Sequence, residues 1–319
     1  MKPSRYDLQP TRRRNIAITD QLEPGSTFKI VTAAAALSER IVHPDTEIAC
    51  ENGYWQWCKL HDHHPYPSLT VRNILVKSSN IGAAKLGIQL GDQRFYQYAR
   101  KFGFGDTSTV ILPGEIRGSV PPPDAWDKIS LTRMPMGQSV AATPLQIVNA
   151  MCVIANGGTL MVPQIVREVA GEGGKSEYGP QERWRVVSQK AAEQVREALV
   201  QVTGPKGTAV LARVAGFKVA GKTGTAQKAD EHGRMSHENY VVSFVGFLPA
   251  EDPAFVMLVL IDEAQVKHEA NYGGLVAAPV FSRIAEKAAR YLNLKPTEET
   301  ALPGSVVSKN DSSIDARDQ

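Results

Sequence analysis

The chain has 319 residues, 42% of them hydrophobic and 22% charged, with a formal net charge of +3. That length carries one large domain or two small ones with a proper core, and the composition is globular. The charge is too small to imply nucleic acid, and Arg12-Arg13-Arg14 reads as a solvated loop. The densest apolar run, Phe255 to Ile261, reads as a buried strand, far too short to span a membrane. Residues 1–30 lack the apolar core of a signal peptide. Taken alone the chain is expected to be soluble and cytosolic; equally, it can be a piece of something larger.

In chain order, residues 26–38 (STFKIVTAAAALS) are alanine-rich and follow Pro-Gly, which predicts a helix with Ser26 at its start. Residues 41–69 are irregular, rich in Pro, His and Gly. Thr70 caps a short helix through Lys77, and another runs from Asn80 to Leu90. Asp92 is read as the cap of a further helix with Phe95, Ala99 and Phe102 on one face. Residues 103–140 read as long loops, which in a compact chain usually serve a site. Thr143-Pro144 starts a helix that stops at Asn156-Gly157-Gly158. Ser188 starts the next, with Val195, Leu199 and Val202 in register. The period then changes to that of strands in "FKVAGKTGTAQ", "YVVSFVGFLP" and "AFVMLVLID", the last two joined by a hairpin turn. An amphipathic helix follows over 277–294, its stripe read as Phe281, Ile284, Ala288 and Tyr291. The order predicts an α+β fold, an antiparallel sheet flanked by helices with an all-helical subdomain. Residues 1–295 are taken as one domain and 296–319 as a disordered tail.

Three cysteines are present. Cys152 reads as a core residue. Cys50 and Cys58 flank a possible hairpin; a disulfide is possible in an oxidising compartment, and two unpaired thiols are the favoured reading. "HDHH" at 61–64 invites a zinc reading, but its spacing matches no known ligand set and Pro65 follows at once, so a polar loop is favoured.

The chemistry begins at Ser26-Thr27-Phe28-Lys29. Alone, this spacing is weak, and a plain helix cap is the simpler reading of Ser26. Two further elements follow in order: Ser78-Ser79-Asn80 at a helix start and Lys222-Thr223-Gly224-Thr225 in a strand. Such a trio marks penicillin-binding proteins and serine β-lactamases. A decoy, Ser308-Lys309-Asn310, lies on the wrong side of the K-T-G. Residues three apart share a helix face, so Lys29 Nζ can reach Ser26 Oγ. Burial and a second cation, Lys222, would lower the lysine's pKa, and a neutral Lys29 can take the Ser26 proton during attack on a carbonyl. Ser78 can relay a proton to the leaving amine, and Asn80 can hold a substrate amide. Gly224 lets an edge strand approach a substrate backbone, while Thr223, Thr225 and Lys222 suit a carboxylate. The Ser26 and Thr225 backbone N–H groups are the natural oxyanion donors.

Beyond the trio, "AITDQLEPGSTFKIVTAAAAL", "SSNIGAAKLG", "FGFG", "LPGE", "MGQSVAATPLQIVNAMCVIANGG", "GKTGTAQ", "SFVGFLP" and "YGGLVAAPVF" resemble the transpeptidase domain of class B penicillin-binding proteins, the division and elongation type, over about residues 15–293. The resemblance implies the penicillin-binding protein/serine β-lactamase-like fold and acyl transfer on peptidoglycan stem peptides. Ser26 would attack the D-Ala-D-Ala bond, no metal or organic cofactor would be needed, and β-lactams would bind covalently. It also implies work at the extracytoplasmic face of the bacterial inner membrane, with division or elongation membrane proteins as partners through regions this chain lacks. Competing readings are a class D-like serine β-lactamase, a β-lactam-sensing domain and an inactive scaffold. Class D enzymes resemble S-x-V at the second element, and no Glu between Asn80 and Lys222 has the class A deacylating pattern.

The family's sheet has five antiparallel strands, two of them before the catalytic serine. "MKPSRYDL" resembles the end of that region. The chain is therefore expected to begin inside its own catalytic domain, two strands short, with an unpaired sheet edge.

Overall fold

The computed structural model describes residues 14–171, 174–229, 235–264 and 272–298. Its centre is helix α1 (Lys29–Ser38), entered through a tight 3-10 turn, Gly25–Phe28. Residues 29–37 of α1 are all buried, so the helix has no solvent face. Its run of four alanines makes that possible: small side chains let other helices close in on every side. Those neighbours include α3 (Asn80–Leu90), α4 (Asp92–Lys101) and α6 (Gln189–Val202), while α2 (Val71–Lys77) leads into α3 and α5 (Pro144–Ala155) packs against α6.

The helix starts follow local chemistry. Thr70, Ser79, Thr143 and Ser188 each accept a backbone N–H with their side chain, and Thr143 with Gln146 forms a reciprocal capping box. Asp92 does not cap α4; Gly91 holds that position and Asp92 is the first helical residue, its charge at the positive end of the helix. The long stretch 103–140 is pinned from within: buried Gln146 Nε2 donates to the carbonyls of Gly103, Asp106 and Arg117.

The main sheet is antiparallel, ordered β3-β2-β1, from β1 (Ala220–Ala229), β2 (Met235–Leu248) and β3 (Phe255–Asp262). Lys222 pairs with Val245 and Gly224 with Ser243, and Phe244 pairs with Val259 on the other side. Helix α7 (Gly273–Tyr291) lies along the sheet, its Phe281 ring 4.7 Å from Phe244. The buried stripe of α7 is Ala277, Ala278, Phe281, Ala285 and Ala289, which shares only Phe281 with the expected one; Ile284 is 46% and Tyr291 86% exposed. The small alanines on either side of Phe281 let the helix lie close to the sheet, while Ile284 and Tyr291 are turned outward. Among the described residues this sheet has three strands and β3 is an edge. The expectation that the chain is two strands short before Ser26 bears on residues that lie partly outside those described; Ile16–Thr19 is a single helical turn. Past position 295, Thr297 and Glu298 still donate to the Gly216 carbonyl, and the rest of the tail lies outside the described residues. None of the helices described is long and apolar enough to cross a membrane. Cys50 and Cys58 are buried free thiols.

Candidate active site

Ser26 sits in the 3-10 turn that feeds α1, and three segments converge to hold it. Gly25 adopts φ 55°, and a Cβ there would lie 2.9 Å from the Thr225 carbonyl oxygen. Its N–H donates to the Gly137 carbonyl at 3.3 Å, and a Cβ on Gly137 would collide with the Gly25 backbone. Glycine at both places lets the serine turn, the 134–138 loop and the strand β1 meet backbone to backbone.

Lys29, 1% exposed, has its Nζ 3.0 Å from Ser26 Oγ. The same nitrogen donates to the Ser78 carbonyl at 2.6 Å and to Asn80 Oδ1 at 2.7 Å, and lies 3.2 Å from Ser78 Oγ. The two shortest contacts are to oxygens that only accept, which uses both N–H groups of a neutral amine and leaves its lone pair for the Ser26 hydroxyl. Burial pushes the Lys29 pKa down to about 7, against the opposing pull of Asp62.

Ser78 takes the left-handed conformation, φ 58°, at the C-terminal cap of α2. A non-glycine residue there persists only where its surroundings over-determine it. The sharp reversal puts Ser78 Oγ between the two lysines: Lys222 Nζ donates to it at 2.8 Å. Lys222 is 0% exposed, and its pKa lies well below the usual lysine range because of burial and then the charge of Lys29. It is thus spent on Ser78 rather than offered to the cleft, and Thr223 and Thr225 are the members of its motif that line the cavity.

The sequence reading missed Asp62. Its carboxylate accepts from the Ser79 hydroxyl at 2.6 Å and from the backbone N–H groups of Asn80 and Ile81, clamping the start of α3. Asn80 Nδ2 donates to the His61 carbonyl at 2.8 Å. "HDHH" is therefore one wall of the site. Among the described residues no cluster of three such side chains is placed to hold a metal. The cleft, about 960 Å³, is lined by Ser26, Ser78, Asn80, Thr223 and Thr225, together with Glu23, His63, His64 and Tyr272. His63 and Tyr272 meet edge to face at 5.4 Å. Partial desolvation and the nearby Lys29 hold the His63 pKa below its ordinary value. The cluster of titratable residues in "HDHH" and the aromatic in "NYGG" were signals available in the sequence. What hid them is that both belong to loops whose position depends on the packing of distant elements.

All eight residues singled out from the sequence, Ser26, Lys29, Ser78, Asn80, Lys222, Thr223, Gly224 and Thr225, meet at this cleft or directly behind it. The sequence model of the penicillin binding protein transpeptidase domain matches residues 2–286. The chain belongs to that family. The transpeptidase domain is 35% identical over 292 residues to Stage V sporulation protein D of Bacillus subtilis, covering 89% of this chain and 44% of that protein. It is 34% identical over 287 residues to a probable peptidoglycan D,D-transpeptidase, PenA, of Neisseria flavescens, covering 90% and 69%. The chain thus spans less than half of the Bacillus relative's length. Among solved structures, it superposes on the apo transpeptidase domain of penicillin-binding protein 3 from Burkholderia pseudomallei with a TM-score of 0.80 at 33% identity, covering 90% and 84%. Penicillin-binding protein 3 from Mycobacterium tuberculosis in complex with ampicillin gives 0.78 at 31%, covering 93% and 68%. In this transpeptidase domain the penicillin-binding fold is assembled from the α+β elements read from the sequence, with α1 at its centre.

Proposed function

We propose that this chain is a serine-type peptidoglycan D,D-transpeptidase that cross-links stem peptides and is acylated by β-lactams. The observation that carries the reading is the buried relay Ser26–Lys29–Ser78–Lys222, with a lysine whose pKa is about 7 beside the serine. Neutral Lys29 takes the Ser26 proton as Oγ attacks the carbonyl carbon of the penultimate D-alanine. The oxyanion is held by the Ser26 and Thr225 N–H groups. The carbon–nitrogen bond then breaks, and the leaving D-alanine nitrogen receives the proton through Ser78. An acceptor amine attacks the ester, and its proton returns through Lys29 to Ser26. Lys222 orients Ser78 through its 2.8 Å hydrogen bond to Oγ. Thr223 and Thr225 receive the terminal carboxylate. Asn80, with one Nδ2 hydrogen given to His61, offers the other to a substrate carbonyl.

The protein would act at the extracytoplasmic face of the inner membrane, alongside division or elongation membrane proteins. A class D-like β-lactamase is the weaker reading, because the second element here, Ser78-Ser79-Asn80, carries Asn where class D enzymes resemble S-x-V. The test is intact-mass detection of a benzylpenicillin adduct, mapped to the peptide holding Ser26. A lasting adduct lost in Ser26→Ala is expected; a label on Ser78, or rapid release of hydrolysed drug, would overturn the assignment.

A further inference from the structure

Beside the cleft lies a short hairpin, Tyr54–Trp55 paired with Leu60–His61, whose rings serve no step of the proposed reaction. Tyr54 and His61 are cross-strand partners with stacked rings 4.4 Å apart. Trp55 and Trp57 follow at 5.4 Å, and Lys85 Nζ lies 4.9 Å from the Trp55 ring centre. Trp57 is 59% and Tyr54 40% exposed.

The hairpin is anchored from beneath. Cys58 and Leu60 are buried against Ile81 and Ala84 of α3, with Met136 and the half-buried Trp55 completing the cluster. Arg133 Nη2 donates to the Cys58 carbonyl at 2.8 Å. The exposed rings thus stand on a rigid base, while a tryptophan in solvent on an anchored turn contributes little to the core. The hairpin is also joined to the site. The His61 carbonyl accepts from Asn80, and the next residues supply the Asp62 clamp and the His63–His64 wall.

We propose that this hairpin is a platform for the glycan strand, binding an N-acetylated hexosamine ring of the polymer that carries the stem peptide; the proposal rests on the transpeptidase reading above. One face of a pyranose presents only C–H bonds, weakly positive at hydrogen, and these lie favourably on the negative face of an aromatic ring. Exposed Glu51, Asn52 and Gln56, neighbours of the rings in the chain, and Lys85 over Trp55 carry groups able to bond hydroxyls and acetamido groups. Lys85 is paired with Glu51, so the patch lacks the run of cations that a polyanion needs. A sugar seated here lies on the loop that runs directly into the Asp62 clamp and the His63–His64 wall of the cleft. Rigid aromatics bind with little entropy to lose, so the platform selects polymer-bound peptides over free ones.

The test is calorimetric titration of the whole chain with a peptide-free hexamer of β-linked N-acetylglucosamine, against an α-linked glucose hexamer. Saturable binding of the first alone is expected. Trp57→Ala and Tyr54→Ala should each weaken it about fivefold, while Trp57→Phe retains most of it. Both rings are exposed, and the rate of penicillin adduct formation, read on the same samples, should stay unchanged. No saturable heat, equal binding of the glucose hexamer, or full affinity in both alanine variants would overturn the platform. The penicillin readout is separate: no adduct on the native chain overturns the transpeptidase reading, and with it the choice of this polymer, whatever the calorimetry gives.

Discussion

At the residue scale the site is a problem of two lysines that must share a dry pocket. Water would solvate both ammonium ions; burial denies Lys29 that water, and its pKa falls to about 7 despite the opposing pull of Asp62. Because the neutral form is the base, the rate of penicillin acylation should rise with pH through about 7 and then level. A rate flat between pH 5.5 and 8.5, followed by stopped-flow with a chromogenic β-lactam, would remove Lys29 from that role. Lys29→Ala should slow acylation by about a hundredfold or more, since the nucleophile remains while its base is lost. The same lysine has an opposite effect on folding. Its pKa is about 7 folded and 10.5 in the ordinary state. Between those values the unfolded chain holds a proton that the folded chain has released, so stability rises with pH across that window. Below it both states are protonated and the full cost of burying the charge is felt. Lys29→Met should therefore raise the denaturation midpoint at pH 6, with a gain that shrinks toward pH 10. An unchanged or lower midpoint at pH 6 would show that the ammonium's hydrogen bonds outweigh its desolvation.

At the element scale, the starts of two helices are where structure and chemistry coincide. The N-terminal end of α3 carries Asn80, and its orphan N–H groups are met by the Asp62 carboxylate from a separate loop. Asp62→Ala should cost about 1–2 kcal/mol of stability in urea unfolding, the usual worth of a cap. It should also slow acylation, because Asn80 and Ser78 flank the clamped turn; Asp62→Asn should restore much of the stability. If Asp62→Ala lowered stability and left the acylation rate alone, the clamp would be structural only. The turn before α1 depends on Gly25 and Gly137 touching backbone to backbone. Gly137→Ala should displace the Ser26 turn and abolish most adduct formation while the circular dichroism of the helices is retained.

For the molecule as a whole, the cleft exists because a helical lobe and a sheet are held at a fixed separation. Helix α7 helps to set it from the sheet side: its first residues carry Tyr272, Gly273 and Gly274 to the cleft while Phe281 packs on Phe244. Phe281→Ala should leave a cavity under α7 and cost about 3–5 kcal/mol, seen as a large drop in unfolding midpoint. A drop of less than a third of that would mean that α7 docks mainly through its alanines.

Much of this was legible in the sequence, for local reasons. Capping residues, alanine content and period placed the helices 70–77, 80–90, 143–155 and 188–202 and all three strands of the sheet, because those signals act within a turn or two. The eight motif residues were legible because their chemistry dictates residue type at short spacing: a serine and lysine on one turn, an asparagine at a helix start, a glycine in an edge strand. What is decided over long distance was not. Which stripe of α7 is buried depends on how closely the sheet approaches, so Ala285 and Ala289 went inside and Ile284 and Tyr291 outside. Whether Lys222 faces substrate or stands behind Ser78 depends on the register of β1 against the α2–α3 turn, a contact spanning 144 residues. The part played by Asp62 follows from the packing of its hairpin on α3. By itself the sequence determined which groups are candidates for the chemistry; the tertiary structure alone decided which of them face the cleft and which are buried behind it, because burial and charge separation are properties of the assembled core and not of any short stretch of chain.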